Sequence, residues 1–160
     1  RRARISEFAE KHKGVEFLEA ESPWGVPCDI AFPCATENEL REEHAEMLIR
    51  NGVIAVCEGA NMPLTGEATR RLAASNILHA PGKASNAGGV AVSGLELSQN
   101  AMRISWSHEE VESRLQKIMT EIHSNCVEYG RSNGRIDYIR GANIAGFKKV
   151  ADAMLAYGVF

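Results

Sequence analysis

Three short apolar-rich runs, each stopped by a turn of proline, glycine and small residues, limit the folds open to this chain. Val53 to Cys57 is five apolar residues in a row and ends in Glu58-Gly59-Ala60-Asn61-Met62-Pro63. Ile77-Leu78-His79-Ala80 runs into Pro81-Gly82, and Cys28-Asp29-Ile30-Ala31-Phe32 is halted by Pro33. Continuous rather than alternating hydrophobicity marks strands buried on both faces, which is the situation inside a parallel sheet covered by helices. The intervening segments have helical spacing. Glu37 to Asn51 repeats through Leu40, Ala45, Leu48 and Ile49 before Gly52, and a short helix begins near Thr65 and takes in Leu72 and Ala73. Upstream, Ile5, Phe8 and Ala9 predict a helix over Arg2 to His12 that stops at Gly14, and Val15 to Leu18 predicts a further strand. The fold class is α/β.

From Lys83 onward only helices are expected: one to about Ser105, one from His108 to Tyr129, and one from about Asn143 to Tyr157. Ser107-His108-Glu109-Glu110 is a capping box, and Val111, Leu115, Ile118, Ile122 and Tyr129 form one stripe ended by Gly130. Arg131 to Asp137 reads as an exposed loop.

With 160 residues, 44% of them apolar, the chain has the material for a single core. Its net charge of −3, from 21 acids and 18 bases, supplies no overall field for nucleic acid or an anionic membrane. No apolar stretch approaches the roughly 20 residues of a membrane-spanning helix. The opening Arg1-Arg2-Ala3-Arg4, with no apolar run behind it, is not a secretory signal and reads as a chain entered partway through. Cys28, Cys34, Cys57 and Cys126 form no C-x-x-C pair and are expected as buried apolar residues of a reducing compartment. The five histidines share no metal-ligand spacing, so no metal site is expected.

Ligands of an open parallel sheet bind beyond the carboxyl ends of its strands, which here means the segments after Phe32, Cys57 and Ala80. Each of the three supplies small residues plus one hydrogen-bonding group: Thr36, Asn61 and Asn86. Such a surface suits a flat heteroaromatic ring and a ribose, because small residues let the ligand reach the backbone. Gly59 and Gly82 also fit a purely local role in turns. The adjacent Gly88 and Gly89 each weaken a helix by about 1 kcal/mol against alanine, which calls for close contact with something. Asn86, Val90 and Ser93 fall on one helical face, beside Ala87, Ala91 and Gly94, where a neighbouring element could pack closely. A Ser93 hydroxyl bonded back to its own helix is the plain alternative. The glycine-rich phosphate turn of a doubly wound sheet is missing from this sequence.

Four runs carry a resemblance: Pro33-Cys34-Ala35-Thr36, Glu58-Gly59-Ala60-Asn61-Met62-Pro63, the stretch from Pro81 to Glu96, and Gly141-Ala142-Asn143-Ile144-Ala145-Gly146-Phe147. Together they resemble the C-terminal part of a glutamate dehydrogenase, of the Glu/Leu/Phe/Val dehydrogenase family, over essentially the whole chain. Pro23-Trp24 and Lys149 to Met154 resemble the NADP-dependent bacterial hexameric type. The resemblance implies the C-terminal part of a doubly wound, Rossmann-like nucleotide-binding domain over 1–137 that lacks its first βαβ unit. It further implies a C-terminal helix over 138–160 that packs toward a substrate domain outside this chain. It implies oxidative deamination of L-glutamate to 2-oxoglutarate and ammonia with NADP rather than NAD, the reverse reaction assimilating ammonium, in a cytoplasmic homo-hexamer.

By the same resemblance Ala35 and Thr36 line the cofactor cleft, Gly59 and Asn61 meet the nicotinamide ribose, and Asn86 holds the nicotinamide end. Val90 and Ser93 reach the substrate, Ser93 donating a hydrogen bond to its side-chain carboxylate. Arg1 and Arg4 lie where NADP-using members place basic residues near the 2′-phosphate, although exposed surface is the commoner fate of arginine. The family's substrate lysines, its water-activating lysine and its proton-handling aspartate belong to an N-terminal domain, so no residue here is expected to be catalytic. Two other readings stay open: a free-standing nucleotide- or metabolite-binding module without catalysis, and a sibling dehydrogenase acting on leucine, valine or phenylalanine.

Overall fold

The computed structural model describes residues 4–158. Helix α1 spans Ile5–Lys11 and ends before Gly14, which adopts φ +89°. Strand β1 (Ile30–Ala31), helix α2 (Glu42–Arg50), strand β2 (Ala55–Cys57), helix α3 (Gly66–Ala73) and strand β3 (Leu78–Ala80) then alternate. The strands form a parallel sheet in the order β1-β2-β3, with Ala31 level with Val56 and Val56 level with His79. Two consecutive βαβ units produce that order, as the unbroken apolar runs require.

The core lies where α2 and α3 meet the sheet. Ala45 and Leu48 on α2, Ala68 and Leu72 on α3, and Val56 on β2 are buried together with Leu40, Val53, Leu64, Ala31 and Trp24. Spacings of three and four place each helical pair on one face. Thr65 caps α3 by accepting the Ala68 N–H on its Oγ1 at 3.3 Å, and Gly52 reverses the chain after α2 at φ +77°.

The second half of the chain is helical. Helix α4 (Gly82–Ser85) leads into α5 (Ala87–Met102), followed by α6 (His108–Gly130), a tight hairpin of β4 (Arg131–Ser132) and β5 (Arg135–Ile136), and α7 (Tyr138–Tyr157). The Ser107 capping box is present: Ser107 Oγ accepts from Glu110 N at 3.2 Å, and Glu110 Oε2 accepts from Ser107 N at 3.1 Å. Helices α6 and α7 pack closely, and α7 also reaches β3. At their crossing a Cβ on Gly141 would fall on the Cys126 carbonyl, and one on Gly130 would fall on the Asp137 carbonyl. Absence of side chains there is a condition of the packing.

Several expectations change. Val15 to Leu18 is not a strand: no strand pairs with it, Val15, Phe17 and Leu18 are exposed, and Gly14 and Ala20 on either side take positive φ. Helix α2 begins at Glu42 rather than Glu37, because Leu40 bridges to the chain before α3, its N–H bonded to the Pro63 carbonyl and its carbonyl to the Thr65 N–H. The helix expected from Lys83 to Ser105 breaks at Asn86, with φ −96° and ψ 5°, and ends at Met102 before the left-handed Arg103. Arg131 to Asp137 is a hairpin turning on Asn133-Gly134, both at positive φ, the geometry a two-residue type I′ turn demands. Asp137 caps α7, accepting the Arg140 N–H at 2.9 Å, so that helix starts five residues before Asn143. Cys126 is buried and Cys57 half-buried, but Cys28 and Cys34 are exposed in loops beside β1.

Candidate functional site

The three turns after β1, β2 and β3 lie side by side at the carboxyl edge of the sheet and are tied together by hydrogen bonds. The Gly59 and Ala60 N–H groups donate to the Pro33 carbonyl at 2.9 and 3.0 Å, joining the first turn to the second. Glu58 N donates to the Ala80 carbonyl at 3.0 Å, joining the second to the third. Close approach explains two glycines: a Cβ on Gly59 would fall on the Cys34 sulfur, and one on Gly82 would lie 2.8 Å from the Ala60 carbonyl oxygen.

Asn61 and Asn86, assigned from the sequence to the nicotinamide side, meet directly. Asn86 Nδ2 donates to Asn61 Oδ1 at 2.7 Å and lies 3.3 Å from the Ala60 carbonyl. Asn86 sits at the break between α4 and α5 and so opens α5 rather than lying within one continuous helical face with Val90 and Ser93. Val90 and Ser93 are exposed on α5, with open space beside Gly89 and Gly94. The close neighbour expected for Gly89 and Gly94 is therefore absent among the described residues, while a Cβ on Gly88 would meet Leu115 and Met119 at ordinary contact distance. Ser93 Oγ donates to the Gly89 carbonyl at 3.2 Å, the helix-internal bond open to any exposed helical serine, and that oxygen remains able to accept and to turn outward.

Ala35 and Thr36 are exposed in the first turn, and their N–H groups point at Glu39 Oε1, at 2.8 and 3.4 Å. Arg4 is exposed at the start of α1 and shares no hydrogen bond with the three turns, and Arg1 lies outside the described residues.

Sequence reasoning passed over the groups that hold this edge in shape. Glu58 is buried, with Oε1 2.7 Å from His79 Nε2 and Oε2 accepting the Gly82 N–H at 2.7 Å. Burial opposes the charge on Glu58, but the bonds from His79 and Gly82 and the nearby His79 and Lys83 charges outweigh it and hold the carboxyl below the usual glutamate range. Ser85 Oγ donates to the Glu58 carbonyl at 2.5 Å. The signal was present: Glu58 is an acid directly after the unbroken apolar run Val53 to Cys57, and His79 is the one polar residue of the run Ile77 to Ala80. Among the described residues no cluster of histidine, cysteine and acids could hold a metal ion, and no helix is long and apolar enough to cross a membrane.

A family model described as Glutamate/Leucine/Phenylalanine/Valine dehydrogenase matches residues 1–158. The chain belongs to this dehydrogenase family. Among members of that family, it is 58% identical over 159 residues to the NADP-specific glutamate dehydrogenase of Salmonella typhimurium, covering 99% of this chain and 35% of the relative. It is 56% identical over 159 residues to a glutamate dehydrogenase of Bacteroides thetaiotaomicron, covering 99% and 36%. In three dimensions it superposes on Plasmodium falciparum glutamate dehydrogenase 2 with a TM-score of 0.91 at 47% identity, covering 98% of this chain and 34% of that one. The chain thus spans about a third of the length of the dehydrogenases it matches, and its α/β architecture is that of their Rossmann-like part.

Proposed function

We propose that this chain forms the nicotinamide side of the cleft of an enzyme that interconverts L-glutamate, water and oxidised NADP with 2-oxoglutarate, ammonium, NADPH and a proton. The single observation that carries the reading is the Asn61–Asn86 pair, held at the carboxyl edge of a parallel sheet beside a helix presenting exposed Val90 and Ser93. Small-residue turns there let a flat ring and its ribose approach the backbone, and paired amides orient it. Gly59 and Asn61 meet the ribose, Asn86 the nicotinamide end, and Ala35 and Thr36 the wall of the cofactor cleft. NADP brings the hydride acceptor; the chain's own residues place it against the substrate. Ser93 swings its hydroxyl from the Gly89 carbonyl to the side-chain carboxylate of glutamate, with Val90 packing on the substrate's methylenes.

Residues 1–137 constitute the later part of a dinucleotide-binding domain, and 138–160 turn toward the substrate domain. Exposed Phe147, Val150, Met154 and Leu155 on α7 support that placement. The catalytic lysines and aspartate come from the substrate domain, and the whole enzyme is a cytoplasmic homo-hexamer. Arg1 and Arg4 supply the positive charge for the 2′-phosphate, a charge-assisted contact that discriminates NADP from NAD.

Steady-state assay of the full-length protein tests the reading. NADP-dependent oxidation of L-glutamate is expected to exceed that of leucine, valine and phenylalanine by orders of magnitude in kcat/KM. Replacing Arg1 and Arg4 by alanine raises KM for NADP far more than for NAD. A preference for an apolar amino acid would reject the substrate, and equal effects on the two cofactors would reject the arginine role.

A further inference from the structure

Glu58 occupies the junction of all three turns. Its N–H bonds the Ala80 carbonyl, its carbonyl takes the Ser85 hydroxyl, its carboxylate takes the Gly82 N–H, and the next two N–H groups bond the Pro33 carbonyl. Gly82 and Ser85 bound the one-turn helix α4, and Asn86 follows immediately. Glu58 is therefore bonded to both ends of α4, the short helix from which Asn86 emerges. The fit is close, since a Cβ on Gly82 would lie 3.1 Å from Glu58 Oε2.

His79 completes the clasp. It is buried in β3, donates through Nε2 to Glu58, and leaves Nδ1 buried without a partner. A buried orphan nitrogen is unfavourable, so an imidazole here must be offset by what its other nitrogen does. What it does is hold a buried carboxylate in one rotamer, with a short charge-assisted bond.

We infer that Glu58, braced by His79, is a positioning residue for the nicotinamide end of the cleft, acting through Gly82 and Ser85 on Asn86 and its contact with Asn61. The inference rests on the cofactor placement proposed above. It predicts an effect confined to the nicotinamide half of the ligand, which a general loss of fold would not show.

The test measures equilibrium dissociation constants of the full-length enzyme for NADPH and for adenosine 2′,5′-bisphosphate, which lacks the nicotinamide. Glu58→Ala is expected to weaken NADPH about tenfold, one hydrogen-bonded constraint's worth, while the bisphosphate stays within about twofold. Glu58→Gln, which keeps an oxygen for Gly82, recovers most of the NADPH affinity. Should Glu58→Ala fail to fold, Ser85→Ala removes the hydroxyl whose shortest bond is to the Glu58 carbonyl, with the Pro81 and Ala80 carbonyls farther off at 3.0 and 3.3 Å, and is expected to weaken NADPH about threefold with the bisphosphate again unchanged. Equal weakening of both ligands, or unchanged NADPH affinity in the folded variants, overturns the role of Glu58. Failure of the unaltered enzyme to bind either ligand overturns the cofactor reading instead, and the positioning role with it.

Discussion

The two halves of the molecule keep their side chains in different ways. Around β1 to β3, helices α2 and α3 close over a dry core in which Leu40, Ala45, Val56, Ala68 and Leu72 are fully buried. From α5 to α7 the helices touch one another through glycines and half-buried residues, and their outer faces carry Val90, Leu97, Phe147, Val150, Met154 and Leu155 in the open. The first half is a scaffold that holds the three turns. The second presents surface, and the exposed apolar face of α7 is where its remaining partner surface is expected.

The largest test of that contrast is a core truncation. Leu72→Ala removes a fully buried side chain and is expected to lower unfolding stability by about 2–5 kcal/mol in a urea titration, whereas the same change at exposed Leu97 stays within about 0.5 kcal/mol. A comparable loss at Leu97 would erase the distinction. Next, Gly141→Ala puts a methyl group on the Cys126 carbonyl and is expected to destabilise by about 1–3 kcal/mol by forcing α6 and α7 apart. Gly146→Ala on the same helix, with open space around it, is neutral or stabilising in the same titration. If both glycines tolerated alanine, the close crossing would be wrong.

Smaller effects sharpen the picture. Phe147→Ser leaves the melting of the isolated chain nearly unchanged but destabilises the full-length enzyme; equal insensitivity in both would show that α7 does not meet a substrate domain there. Thr65→Ala removes the α3 cap and is expected to cost about 1 kcal/mol. The pH dependence follows from Glu58, whose carboxyl lies below the usual glutamate range in the folded chain. Its contribution is complete above that range and fades as pH falls through the lowered folded value. The stability gap between the unaltered chain and Glu58→Gln therefore narrows on acidification, and a gap that widened would reverse the sign.

Much of the scaffold was legible because its signals are local. Apolar runs predicted β1, β2 and β3, and Thr65, Ser107 and Gly52 marked helix ends that the structure retains. Val15 to Leu18 misled because an apolar run becomes a strand only where a sheet edge receives it, and composition does not reveal the edge. The break at Asn86 was hidden for a similar reason, since the side-chain bonds around it join Ser85 to Glu58 and Asn86 to Asn61, 27 and 25 positions apart in the chain. The hairpin at Asn133-Gly134 carried its turn signature openly, and the polar character of the flanking residues obscured it. At the site, the sequence and resemblance pointed to Asn61, Asn86, Val90 and Ser93, which the structure leaves exposed or half-buried. It passed over Glu58, His79, Ser85 and Glu39, whose work is internal and whose partners are distant in sequence.

The proposed substrate assignment rests on α5 presenting, in Ser93, a hydroxyl that recognises the carboxylate of glutamate. Its most direct test is substrate selectivity of the full-length enzyme after Ser93→Val. With Ser93 in that role, kcat/KM for L-glutamate falls at least about tenfold, as expected when a polar substrate group loses its partner, while apolar amino acids of similar length hold or gain. An unchanged ratio between glutamate and apolar substrates would contradict it.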